Sequence, residues 1–94
     1  VVAGYFQFNK KDTSGHVPDP LSPKLKKLLE LSCGKVGTRV NGNIVGCCAE
    51  QRASNRLINS YRTVPIKRIK FSEAIRPRTM QKIAMCQNCK STFR

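Results

Sequence analysis

Acidic residues are scarce in this chain. Five Asp and Glu stand against 18 Lys and Arg, for a net charge of +13 over 94 residues. A balance so short of negative charge points to a polyanionic partner, nucleic acid or an acidic protein; a plain solubility bias is the bland alternative. Long apolar runs are missing, which excludes a transmembrane helix. Tryptophan is absent, and the stacking candidates reduce to Tyr5, Phe6, Tyr61 and Phe71, a set suited to a modest groove rather than strong sequence readout. The single histidine, His16, lies in a polar stretch and is expected to be solvated. Five cysteines are an odd number, so a complete disulfide framework within the chain is excluded. Internal repeats and low-complexity tracts are also missing. The first residues, Val1-Val2-Ala3-Gly4-Tyr5, show neither a basic leader nor an initiator Met. No signal peptide is expected, and the chain is expected to be a fragment or a released C-terminal domain of something longer.

What is present fits one domain, residues 1–94, with a core too small for a deep pocket. A bound metal or a partner would therefore add usefully to its stability. Residues 1–22 form a lead-in: an apolar-aromatic run from Val1 to Phe8 with strand propensity, then a loop from Asn9 to Pro20 rich in Lys, Asp, Ser, Gly and Pro. Residues 23–94 form the core. Ser22-Pro23 predicts a helix start, with Ser as cap and Pro at the first helical position. Leu25, Leu28 and Leu29 follow at helical spacing, and Gly34 is placed to end the helix. Cys33, at that end, is expected to be a buried free thiol. Asn41-Gly42, between the β-prone segments Lys35–Val40 and Asn43–Cys47, predicts a hairpin with a type I′ turn. From Cys48 to Ser60 the pattern becomes helical, with Ala49, Ala53 and Leu57 recurring every fourth residue. Val64 to Phe71 predicts a strand that Pro65 opens. Ser72 to Lys82 is expected to be irregular and basic, and a short helix is expected near the C-terminus.

The cysteines carry the chemistry. They are grouped as one alone (Cys33), one adjacent pair (Cys47, Cys48) and one C-x-x-C (Cys86, Cys89), which suits metal ligation better than stapling. Cys48-Ala49-Glu50 opens one predicted helix, and Met85-Cys86-Gln87-Asn88-Cys89 opens another. Thiolates at two helix starts gain from the helix dipoles, which lower thiol pKa and favour ligation. Three ligands leave a fourth position open on a tetrahedral metal, and Glu50 stands two residues after Cys48 as an acid/base. Cys47 beside Cys48 leaves the choice of ligand open. Cys48 is favoured because the Ala-Glu pair follows it, and Cys47 is expected in the core on the preceding strand.

This order of hairpin, Cys-Ala-Glu helix, strand and C-x-x-C helix resembles the zinc-dependent nucleobase deaminase superfamily, with its half-sites [H/C]-A-E and P-C-x-x-C. The sequences C-A-E-Q-R-A-S-N and C-Q-N-C are most similar to the deaminase domains at the C-termini of bacterial polymorphic toxins, the YwqJ-like group. The resemblance covers roughly Gly34 to Phe93. Met85 replaces the family's Pro, and the chain ends five residues after Cys89, so the expected fold is cut short at its C-terminal end. The resemblance implies zinc on Cys48, Cys86 and Cys89, and hydrolytic deamination in which zinc-bound hydroxide attacks the amidine carbon of a base while Glu50 shuttles the proton. It also implies a secreted toxin, released from a larger polypeptide and acting in the cytoplasm of a target cell, with an acidic immunity protein covering its site.

A polymer substrate would need a basic track. Lys67, Arg68, Lys70, Arg76, Arg78 and Lys82 lie between the half-sites, and Arg52 and Arg56 sit one turn apart on the Cys48 helix; each is as readily a solvated charge. The competing reading is a non-enzymatic, zinc-stabilised nucleic-acid-binding module with four thiolates, Cys47 or Cys33 being the fourth. The expected architecture is α/β: a small mixed sheet with the two metal-bearing helices on one face, cytidine-deaminase-like.

Overall fold

The N-terminal segment folds back on itself. In the computed structural model of the protein, which describes residues 1–72, 74–75, 82–83 and 87–93, strands β1 (Val2–Tyr5) and β2 (Phe8–Lys11) form an antiparallel hairpin with Val2 opposite Lys11 and Tyr5 opposite Phe8. The expected single apolar run is thus broken at Phe6-Gln7, and Asn9 to Lys11 are strand rather than loop. Pairing satisfies the backbone of those three residues whatever their side chains.

Helix α1 (Pro23–Ser32) begins and ends where expected, burying Leu25 and Leu29. Ser22 occupies the cap position, but its hydroxyl makes no capping bond. Its N–H donates instead to Asn55 Oδ1 at 2.7 Å, tying the helix start to a residue 33 positions downstream. The predicted hairpin is formed by β3 (Arg39–Val40) and β4 (Asn43–Ile44). Asn41 and Gly42 both have positive φ, +53° and +80°, as a type I′ turn requires. The strands are shorter than predicted because Val45 to Cys47 turn away, with Gly46 at φ +99°.

Helix α2 (Ala49–Ser60) buries Ala53, Leu57 and Ile58 and packs across β1 and β2. Ala53, facing a sheet whose Ala3 is fully buried, permits that close approach. The strand predicted over Val64–Phe71 is interrupted by a 3₁₀ turn, Ile66–Arg68, and only β5 (Lys70–Phe71) is strand. The cause is the spacing of the apolar residues. Ile66 and Ile69 stand three apart, and a 3₁₀ turn sends both to the core where a strand would send them to opposite faces. Within Ser72–Lys82, expected to be irregular, β6 (Ala74–Ile75) pairs with β7 (Lys82–Ile83).

β5 joins the other edge of β1, giving the order β2-β1-β5. A mixed sheet was expected; every strand pairing among the described residues is antiparallel. Helix α3 (Gln87–Phe93) rests against α1 and the 3₁₀ turn. Its Phe93 ring meets that of Phe71 at 4.8 Å. Phe71 pairs with Ala3 across the sheet, and cross-strand partners share a face, so α2 and α3 cover the same side. The core between them holds Leu25, Leu29, Leu57, Val64, Cys89 and Phe93, among others. No described helix is long and apolar enough to cross a membrane.

Candidate metal and catalytic centre

Two chain segments far apart in sequence converge here. Cys48 is the N-cap residue of α2. Glu50 lies in the first turn of that helix and is only 7% exposed. Cys89 lies in α3 and is fully buried. The Cys89 thiol is pushed far above the ordinary thiol range, first by a hydrogen bond with the Cys48 side chain, then by burial, and further by the charges of Cys48 and Glu50 and a hydrogen bond with Glu50. All these influences favour the protonated Cys89 thiol, and a cation beside it would act in the opposite direction. Thiolates are soft donors of the kind zinc takes. Cys48 and Cys89 are thus two donors of the kind that zinc takes, brought together beside Glu50. Cys86, the third predicted ligand, lies outside the described residues, as does Met85. Among the described residues alone, no group of three or more His, Cys, Asp or Glu is arranged to hold a metal.

The other cysteines go elsewhere. Cys33 is half-buried rather than buried; its thiol donates to the Asn88 carbonyl at 3.3 Å and meets Thr92 Oγ1 at 3.3 Å. That use ties α1 to α3 and leaves Cys33 out of the group acting on Cys89. Cys47 is half-buried in the segment between β4 and α2, not a core residue on a strand. It lines a depression of about 330 Å³ together with Cys48, Ser14, Arg39 and Asn43. That volume is at the small end of the range for small-molecule clefts, about 300–1,000 Å³.

Two residues that sequence reasoning passed over hold the two halves together. Asn88 is fully buried, donates from Nδ2 to the carbonyls of Val40 (2.9 Å) and Asn43 (3.3 Å), and accepts from Asn41 Nδ2 at 3.1 Å. It clamps the β3–β4 hairpin, which leads into Cys48, onto the helix that carries Cys89. Gln51, 1% exposed, accepts the Gly46 N–H through Oε1 at 2.6 Å and so fixes the turn just before Cys47-Cys48. The signal for both was weak: a polar residue at a helix position that the apolar pattern assigns to neither face.

The expected basic track divides. Arg52 is ion-paired with Asp12 at 3.5 Å, and its Nη1 donates to the His16 carbonyl at 2.8 Å. Arg56 approaches the same carboxylate at 3.9 Å. Arg52 thus pins the lead-in segment to α2 and is not free to hold a phosphate, while His16 itself is exposed. Lys67 donates to the Thr92 carbonyl at 2.8 Å, near the C-terminal end of α3, where a cation is favoured. Arg68 and Lys70 are exposed and line a different depression. Arg76 and Arg78 lie outside the described residues, as does the Lys82 side chain.

No protein-family model, no curated protein and no solved structure matches this chain.

Proposed function

We propose that this domain is a zinc-dependent hydrolytic deaminase of a nucleobase. The observation that carries the reading is the convergence of Cys48, Glu50 and Cys89 from two helix starts, beside a small open depression that Cys48 lines. Cys48, Cys86 and Cys89 would hold the zinc, which supplies Lewis acidity and makes water nucleophilic near neutral pH. Glu50 is the proton carrier. It takes a proton from the attacking water, delivers it to the ring nitrogen of the amidine, and passes the second to the departing amine. The sum is amidine plus water giving carbonyl plus ammonia. Glu50 is buried beside the Cys89 thiol, so its carboxylate stands largely out of solvent. The toxin context belongs to the same proposal: a domain released from a larger polypeptide, delivered into a target cytoplasm, and held in check by an acidic immunity protein that the +13 charge would attract.

A second reading rests on Cys47, which shares the depression with Cys48 and would make a fourth thiolate. In that case the domain is a zinc-stabilised nucleic-acid-binding module. Cobalt substitution distinguishes the two, since three thiolates plus water and four thiolates differ in visible absorption. The deciding experiment is nucleic-acid sequencing from cells briefly expressing wild type or Glu50→Gln. Base transitions with wild type alone establish the reaction and name the base. Toxicity without transitions, lost in Glu50→Gln, points to free nucleotides. No difference between the two proteins overturns the enzyme reading.

A further inference from the structure

The turn between β1 and β2 holds Phe6 in solvent at 87% exposure, on a backbone with φ of +53°. Folding supplies no reason for it. The ring adds nothing to the core, and a bulky residue at positive φ is disfavoured. The Tyr5 ring meets it edge-on at 4.5 Å. Beside it lies a depression of about 500 Å³ lined by Tyr5, Phe6, Lys67, Arg68 and Lys70. Arg68 and Lys70 form no ion pair among the described residues, so their charge faces outward unneutralised.

We propose that this groove binds a single-stranded nucleic acid, with one base stacked on Phe6 and the neighbouring phosphates on Arg68 and Lys70. Stacking needs a base whose face is free, which a single strand offers and a duplex does not. An acidic protein would meet the same charges, but a protein interface is centred on a contiguous apolar patch. Among the described residues the other strongly exposed large apolar side chain, Leu31, is on α1 and does not line this groove. The groove is also anchored to α3, the helix that carries Cys89, because Lys67 lines it and bonds to Thr92 one turn beyond Cys89. As a statement of substrate class, a strand rather than a free nucleotide, the inference rests on the deaminase reading. Docking itself does not.

The test is fluorescence anisotropy with a labelled mixed-sequence strand of about 12 nucleotides, as DNA and as RNA, against the matching duplex. Wild type binds the single strand more tightly than the duplex. Phe6→Ala weakens single-strand binding roughly tenfold with the melting temperature unchanged, and Phe6→Tyr restores it. The double variant Arg68→Ala/Lys70→Ala lowers the slope of log affinity against log salt by about 1.4, at roughly 0.7 per phosphate. Single-strand binding that is indifferent to Phe6, or polyglutamate binding that depends on it, overturns the proposal. Deamination of free nucleosides is assayed in the same preparations. Deamination of the bound strand is assayed beside that of the nucleosides: turnover of either without Phe6-dependent strand binding defeats this inference alone, and strand binding with turnover of neither defeats the deaminase reading alone.

Discussion

Glu50 and the cysteines make separable predictions at the scale of single residues. Glu50→Gln keeps the size of the side chain and removes its basicity. Turnover should fall by about 10²–10⁴-fold or more while zinc content, read by elemental analysis, stays at one per chain. Cys89→Ala should abolish zinc binding. Cys33→Ala should retain zinc and cost about 1 kcal/mol in urea unfolding, the worth of its thiol contacts to Asn88 and Thr92. If Cys33→Ala loses the metal, Cys33 is a ligand and the three-thiolate site is wrong. The Cys89 thiol also explains why these residues belong together. A hydrogen bond with Cys48, burial, and the charges of Cys48 and Glu50 all hold it above the ordinary thiol range, and a cation placed among them would oppose that shift.

At the scale of elements, the site depends on how the β3–β4 hairpin is held against α3. Asn88 does this with one side chain making three hydrogen bonds, to Val40, Asn43 and Asn41. Asn88→Ala should lower stability by about 1–3 kcal/mol, since two carbonyls in a partly buried position lose their donor. The denaturation midpoint in urea gives the number, and a change under 0.5 kcal/mol, roughly the range of an ordinary surface substitution, would show that the clamp is dispensable. The asparagine stands inside the C-x-x-C motif, where the eye goes to the cysteines. Its role could not be read from spacing, because its partners lie more than forty residues upstream. The hairpin itself could be read, since an Asn-Gly turn is a local matter of φ at two residues. The strand over Val64–Phe71 was misread for the opposite reason: β propensity is set by context, and here the positions of Ile66 and Ile69 relative to the core decided the backbone.

For the whole molecule, size and charge dominate. A domain of 94 residues has a core of few fully buried large side chains, and Cys89 is one of them. Metal at that position would link α2 to α3 across the chain. Chelation with a strong zinc chelator should therefore lower the melting temperature, in proportion to how tightly the metal is held. A melting temperature unmoved by chelator, in protein shown to contain zinc, would mean that the metal is not part of the fold. Among the described residues, the positive charge is unevenly available. Arg52 is spent on Asp12 and His16, whereas Arg68 and Lys70 stay open beside Phe6, so the +13 total overstates what is available for a polyanion.

The helices α1 and α2 and the type I′ turn follow from the sequence alone. Each depends on residues within a few positions of one another, through caps, periodicity or φ preference. Tertiary structure decided the rest. It made Asn9–Lys11 a strand by giving their backbones a partner in β1. It turned Ile66–Arg68 into a 3₁₀ turn to bury two isoleucines on one side. It placed Cys33 against α3, left Cys47 at an open surface, and set Cys48 and Glu50 against Cys89. Such placements are set by contacts between residues distant in sequence, and no local pattern contains them.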